Sequence, residues 1–385
     1  MTLAIPVAWL QLKRERMRTL VAIAGVMVAV ILIFMQLGFQ DALFDSAVRL
    51  HRAFRYDLAM VNPKTDYLVH PESFSRRRLY QTLGFPGVEA VSPVYLSLAL
   101  WRDPERRDRT AAIYVVGFDP TDFVLDLAGV TAQLDRLRLP DVALFDAHSR
   151  PEFGRIPELV RANGSVTTEI GNRNLSVIGL YELGTSFGID GSLVTSDLNF
   201  RRVFPQRDAG HIDLGLIRLA PGADREAARA AIVAAIPADV EVLTRDEFIA
   251  KEIAYWNSST PIGYVFAFGS AVGLVVGSII VYQILFTDVS DHLVEYATLK
   301  AMGYRDRYLF GIVLQEALLL ALLGFAPGVA LATLLYRLAG DATKLPMQME
   351  TGRTLLVLGL TVAMCCVAGS AALRKVRSVD PAEVF

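Results

Sequence analysis

Cysteine is almost absent from this chain. The only two, Cys365 and Cys366, are adjacent and lie inside an apolar run. Neighbouring cysteines rarely bridge, and no metal-ligand spacing surrounds them. They read as small packing residues, and no disulfide or redox compartment follows from them. Histidine is scarce as well. His51, His70, His148, His211 and His292 are scattered, each reading as a surface or turn residue rather than a ligand. No G-x-x-x-x-G-K-[ST] loop is present to cradle phosphates, and neither H-E-x-x-H nor G-x-S-x-G occurs. No catalytic constellation remains, so a membrane-anchored enzyme is disfavoured and no cofactor is expected on this chain. The net charge is only −2, and no nucleic-acid partner is expected.

What the chain has is apolar sequence in long runs. Mean hydropathy is positive although 20 % of the residues are charged, so the apolar residues must be clustered. Four runs are long enough to span a bilayer, which takes about 20 residues: Leu20–Leu37, Ile262–Phe286, Tyr308–Tyr336 and Leu355–Leu373. Before the first, Trp9, Leu10 and Leu12 precede Lys13, Arg14, Arg16 and Arg18, the pattern of an interfacial amphipathic helix over 1–19. A cleaved signal peptide is the rival reading. The run exceeds a usual signal core and no small-x-small site follows it, so a permanent span over 20–40 is expected.

Basic residues flank the outer ends of this set. Lys13 to Arg18 precede the first run, and Arg374, Lys375 and Arg377 follow the last. Both termini of a multi-pass chain are therefore expected in the cytoplasm. The expected order is spans 20–40, 262–286, 308–336 and 355–373, with a cytoplasmic segment 287–307, an external loop 337–354 and a cytoplasmic tail 374–385. Arg337, Lys344 and Arg353 in the external loop argue mildly the other way.

Residues 41–260 carry most of the charge and proline and hold no spanning run. Strands are expected at Asp57–Val61, Val88–Leu100, Ala111–Phe118, Ser165–Ile170, Leu175–Leu180 and Ile212–Leu219, with a hairpin at Gly171–Asn174. Helices are expected at Ser73–Leu83, Asp224–Ile236 and Arg245–Tyr255. A β-α-β pattern occurs near each end of the region, the second closing with Asp239–Leu243. The two can pair into one small domain (44–118 with 208–250), leaving 119–207 as an inserted subdomain.

Phe286–Phe310 is a short polar stretch between two apolar runs. Asp288 or Ser290 can cap a helix start there, and Gly303 can end it. A capped helix joined to two spans is a handle, and an ordinary connecting loop is the plainer alternative. Gly269, Gly273 and Gly277 recur every fourth residue, which allows close helix approach either to a second copy or within the chain. Gly324, Pro327 and Gly328 are a possible hinge in the third run, where Pro327 removes a helix bond. Glu316, near the cytoplasmic end of that run, is either a conformational latch or a glutamate snorkelling to the interface.

Several stretches carry a resemblance. They are 35–46 (MQLGFQDALFDS), 252–256 (EIAYW) with 260–263 (TPIG), 282–292 (YQILFTDVSDH), 295–304 (EYATLKAMGY), 324–328 (GFAPG) and the ending 380–385 (DPAEVF). Together they resemble the permeases of the MacB, LolC and FtsX superfamily of ABC transporters, most closely the DevC type. The resemblance implies a membrane α-helical protein with four transmembrane helices. It also implies a large extracytoplasmic α+β domain made of a porter-like β-α-β pair plus an inserted subdomain.

The same resemblance implies partners: a homodimer in the lipid membrane, a separate ABC ATPase that uses ATP and Mg, a membrane-fusion adaptor, and through it a TolC-like outer-membrane channel. ATPase coupling would fall to Asp291, Glu295, Tyr296, Lys300, Met302 and Gly303. The expected function is mechanotransmission in a tripartite exporter of lipid-like or amphiphilic cargo, with glycolipid suggested by the DevC likeness. The alternative is an FtsX-like regulator that transmits ATPase state to a cell-wall hydrolase without transport.

Overall fold

The computed structural model describes residues 16–377. The interfacial stretch before Arg16 and the ending 380–385 lie outside the described residues. The chain divides into two compact units. One is a mixed α/β unit, Leu43–Pro261 with Thr343–Pro346. The other is helical and takes the described residues up to Ala42, Ile262–Ala342 and those from Met347 onward.

In chain order the elements begin with α1 (Arg16–Ala47), α2 (Arg49–Ala53), β1 (Leu58–Val61), β2 (Phe74–Ser75), α3 (Arg76–Gln81), β3 (Val88–Arg102) and β4 (Thr110–Phe118). Next come the single turns α4 (Ala128–Thr131) and α5 (Leu134–Leu137), then β5 (Val142–Asp146), α6 (Ile156–Asn163), β6 (Val166–Ile170), β7 (Arg173–Tyr181), β8 (Ser192–Ser196) and α7 (Asp197–Val203). The α/β unit closes with β9 (His211–Ile212), β10 (Leu214–Leu219), α8 (Arg225–Ala235), β11 (Glu241–Thr244) and α9 (Arg245–Ala254), followed by a π-helical turn, Tyr255–Ser259. Last are α10 (Pro261–Asp291), α11 (Leu293–Ala301), α12 (Asp306–Thr343) and α13 (Thr351–Arg377).

The α/β unit is built on one nine-stranded sheet of order β11-β1-β10-β3-β4-β8-β5-β7-β6. The first four of these strands come from the two β-α-β units, interleaved so that β1 lies between β10 and β11. All four residues of β1 are buried, which matches a central strand. The residues expected to form an inserted subdomain do not make a separate sheet. Their strands continue the same sheet, through the parallel pairing of β8 with β4 (Tyr114 opposite Ser192). A further pairing, Trp101 opposite Ile170, joins β6 back to β3 and closes β3-β4-β8-β5-β7-β6 into a ring. The core is shared accordingly, with Leu58 and Met60 in one cluster with Phe145, Phe153 and Leu175. Trp101 is fully buried there, and its Nε1 donates to the Phe153 carbonyl at 3.0 Å.

The β6–β7 hairpin turns on Gly171 and Asn172, at φ 53° and 66°, with Ile170 opposite Arg173. Two successive left-handed residues give the type I′ turn whose twist matches the strands. β5 and β8 were not expected from the sequence. Each is buried at all five positions, so neither shows alternation.

In the helical unit, α1, α10, α12 and α13 are long and apolar enough to cross a membrane, and they are the helices with that property among the described residues. α1 is the hub. Ala22, Val26, Ala29, Val30 and Ile33 form its buried stripe, while Leu20, Val21, Val28 and Leu32 stay exposed. A helix apolar on all sides suits a lipid surround.

Candidate functional site

The 286–310 stretch takes its form from local chain chemistry. α10 runs on through Asp288 and Ser290 to Asp291, so neither residue starts a helix as the sequence reading expected. The Ser290 hydroxyl bonds back to the Phe286 carbonyl at 2.5 Å, which satisfies it inside the helix. The break comes at His292 (φ −95°, ψ 14°), and α11 then runs for nine residues. Its end is a Schellman motif. Gly303 stands at φ 91°, its N–H donates to the Lys300 carbonyl at 3.0 Å, and the Tyr304 N–H donates to the Leu299 carbonyl at 3.1 Å. Glycine takes this conformation without Cβ strain.

Leu299 anchors α11. It packs with Phe310 against a small cluster of Val289, Leu309 and Val313. That leaves Val294, Glu295, Thr298 and Met302 exposed, and their spacing puts them on one helix face. Val294 is 56 % exposed and Met302 63 % exposed, with Tyr304 also outward. Apolar side chains beside a carboxylate on a short rigid helix form a surface suited to a protein partner. The side chain of Tyr296 lies outside the described residues. Asp291 is exposed but engaged, since Arg18 of α1 donates to its Oδ2 at 2.8 Å. Arg18 also reaches the Ile284 carbonyl at 3.4 Å. Sequence reading missed this tie, because the partners are 273 positions apart.

The glycine stripe of α10 faces α1. A Cβ on Gly269 would meet Gln36 at 2.4 Å, and one on Gly277 would meet Ala29 at 2.5 Å and the Met364 sulfur at 2.6 Å. A Cβ on Gly273 would sit 3.5 Å from both Ile33 and Leu32, an ordinary contact. α12 makes the same kind of approach. Gly324 would strike Val26 at 2.5 Å and Gly328 would strike Val30 at 2.7 Å. The helix runs unbroken across Pro327. Glu316 is 3 % exposed, so it faces the helix interior and does not snorkel outward.

The model of the MacB-like periplasmic core domain matches residues 19–235. The model of the FtsX-like permease C-terminal region matches residues 267–381. The chain therefore belongs to the MacB/FtsX-like permeases of ABC transporters, membrane components that work with an ABC ATPase. Solved structures similar to it include the periplasmic region of MacB from Actinobacillus actinomycetemcomitans, at 12 % identity and a TM-score of 0.36 over 51 % of this chain and 91 % of that one. Another is the extracellular domain of the noncanonic ABC-type transporter YknZ from Gram-positive bacteria, at 14 % identity and a TM-score of 0.35 over 49 % of this chain and 100 % of that one. No curated protein matches it in sequence.

Proposed function

We propose that the chain is the membrane subunit of an ABC-type tripartite exporter of the DevC kind, moving lipid-like or amphiphilic cargo such as a glycolipid out of the periplasm. In this reading α1, α10, α12 and α13 cross the inner membrane, with both termini and α11 on the cytoplasmic side. A separate ATPase grips α11, and because α11 is joined through short breaks to α10 and α12, a pull on it moves both helices. The α/β unit lies outside the membrane and meets a membrane-fusion adaptor leading to a TolC-like channel. Two copies work together. In this reading the second copy packs on the other side of α10, where Tyr264, Phe268, Val272 and Val275 are exposed, and Gly269, Gly273 and Gly277 serve packing against α1 within one chain. The system is a mechanical relay in which nucleotide state and the posture of the outer unit bias each other.

The observation that carries this reading is the exposed Val294, Glu295, Thr298 and Met302 face on a nine-residue helix stopped by Gly303. The test is purification of the tagged full chain in mild detergent, with co-purifying proteins identified, repeated with Glu295→Lys and Lys300→Glu. An ATPase and a periplasmic adaptor from the native chain, with the ATPase lost from the double variant, support the exporter. An ATPase with a cell-wall hydrolase or its activator and no adaptor replaces it with the regulatory role. An ATPase retained in full by the double variant overturns the role of α11.

A further inference from the structure

Glu252 lies on α9, the last helix before the π-helical turn that leads in the chain to α10. It is 3 % exposed. Its Oε1 accepts from the Trp256 Nε1 at 2.9 Å, and its Oε2 accepts from the Leu68 backbone N–H at 2.9 Å. The same Oε2 lies 3.5 Å from Nε2 of His51, a fully buried residue on α2, the first short helix after α1. The imidazole rests on Phe248 with ring centroids 4.5 Å apart. Beside Glu252 is a cavity of about 20 Å³ lined by Ser46, Leu50, Leu68, Gly184 and Ser186, among others. That is room for one water. Three stretches of chain thus converge on one carboxyl group: α2, the loop carrying Leu68, and α9. The first and last are those that link the α/β unit, along the chain, to α1 and α10.

Burial decides the charge of this pair. A carboxylate removed from water loses far more than two N–H donors return. The Glu252 carboxyl is accordingly pushed up to about 7, with burial as the main cause and the Trp256 and Leu68 donors opposing it. His51 is pushed down to about 3, again chiefly by burial, with Arg52 adding to the effect. The neutral form of the pair, carrying one proton, therefore persists up to about neutral pH.

Other titratable and charged groups face the pair from every element packed against it. From α2, Arg49 donates to the Leu183 carbonyl at 3.2 Å, and Arg52 pairs with Asp45 at 3.1 Å. From the loop, Tyr67 stacks on Tyr255 at 4.1 Å and is pushed up to about 12 by burial, with Asp66 and His70 beside it. From β4, Tyr114 donates to the Leu68 carbonyl and is raised far above its ordinary range by burial. On α9 itself, Lys251 pairs with Glu241 at 2.6 Å.

We propose that Glu252 and His51 form a proton-operated latch at the linking segments of the α/β unit. With one proton on the pair, α2, the Leu68 loop and α9 stay closed around a neutral centre. Loss of the proton leaves an ionised carboxylate in an apolar site, and the latch loosens to admit water into the adjoining cavity. The sign follows from the raised carboxyl. Its contribution is complete below the ordinary carboxylate value and is lost as pH rises through about 7. The latch is closed in mildly acidic surroundings and open in alkaline ones, whichever ATPase drives the chain.

The test uses the full chain in lipid nanodiscs, titrated from acid to alkaline pH by intrinsic fluorescence, because Trp256 contacts the carboxyl directly. The native chain is expected to show a transition centred near pH 7. Glu252→Gln, which keeps the shape and removes the charge, should abolish it, and the exposed neighbour His70→Gln should leave it in place. A flat native titration, or an unchanged transition in Glu252→Gln, overturns the latch. Should Glu252→Gln fail to fold, hydrogen exchange of the native chain at pH 6 and pH 8, corrected for the intrinsic rate, decides. A protection loss of about tenfold or more at pH 8, confined to peptides covering 46–54, 62–73 and 246–259, supports the proposal. Equal protection at both values, or a loss spread over β5 and β7, ends it.

Discussion

Arg353 Nε donates to Asp41 Oδ2 at 2.7 Å, joining the start of α13 to α1 across 312 positions of sequence. Its Nη1 also donates to the Gln348 carbonyl at 2.9 Å and to the Tyr336 hydroxyl of α12 at 3.3 Å, and that hydroxyl donates in turn to the Phe34 carbonyl of α1. One guanidinium thus ties three long helices. It is almost wholly buried while Asp41 is half exposed, so the pair is worth less than a fully buried one. Arg353→Leu is expected to cost roughly 2 kcal/mol, and Asp41→Asn less than that. Thermal unfolding of the full chain in detergent measures both, and an unchanged midpoint in Arg353→Leu would remove this tie from the account.

Gly324 and Gly328 are expected to be intolerant of any larger side chain. Helices in lipid gain little from hydrophobic drive and depend on close contact. Gly324→Ile must displace Val26, whose Cβ lies 2.5 Å from the position a new Cβ would take. Loss of monodisperse protein on size exclusion is the expected outcome. Gly359 has open space around it, so Gly359→Ala should be neutral or stabilise by up to about 1 kcal/mol. Equal behaviour of the two variants contradicts the packing argument.

Gly303→Val should uncouple without unfolding. A β-branched residue at φ 91° is strained by roughly 1–2 kcal/mol, enough to rebuild the end of α11 but not to melt the bundle. Gly303→Asn should retain more function, since asparagine tolerates this region better. The readout is stimulation of the partner ATPase by purified chain, with helix content followed by circular dichroism. Normal stimulation by Gly303→Val would falsify the claim that the geometry of this turn matters.

Two glutamates on α9 should give opposite pH slopes. Glu247 completes a capping box with Thr244, and the Thr244 N–H donating to it holds its carboxyl below the usual range. Its contribution is present above the ordinary carboxylate value and is lost as pH falls. Glu252, raised by burial, behaves in reverse and weakens the helix as pH rises through about 7. Stability of the α/β unit should fall toward acid, where Glu247 loses its contribution and buried His51 must charge, and fall toward alkaline pH, where Glu252 ionises, so Glu247→Gln should flatten part of the acid limb and leave the alkaline one in place. Thr244→Ala is expected to cost about 1 kcal/mol at the plateau. Denaturant titrations of the full chain across pH, followed by fluorescence, provide the measurement.

Legibility differed between the parts of the chain for physical reasons. The long apolar runs and the strands of the two β-α-β units stand out because hydropathy and periodicity are local. The stop at Gly303 could be read because left-handed backbone favours glycine. The expected helix start at Asp288 or Ser290 failed for a reason just as physical. A side chain able to cap can equally bond back within a continuing helix, as Ser290 does to Phe286. β5 and β8 escaped notice because strands buried on both faces do not alternate. Val294 and Thr298 became functional candidates only when the anchoring of α11 through Leu299 showed which side faces outward.

The sequence by itself determined that the chain carries membrane-length helices around a charged mixed region, and that a short polar helix with a glycine stop lies between two of them. These properties follow from hydropathy, period and backbone stereochemistry, which act over a few residues. Only the tertiary structure decided what each polar or small residue is for. It set the glycine stripe of α10 against α1, turned Glu316 inward, closed Arg353 on Asp41, and brought Glu252 to His51 and Leu68. The partners in these contacts are far apart in the chain. Which residues meet is decided by how whole elements pack together, and a local pattern does not contain that choice.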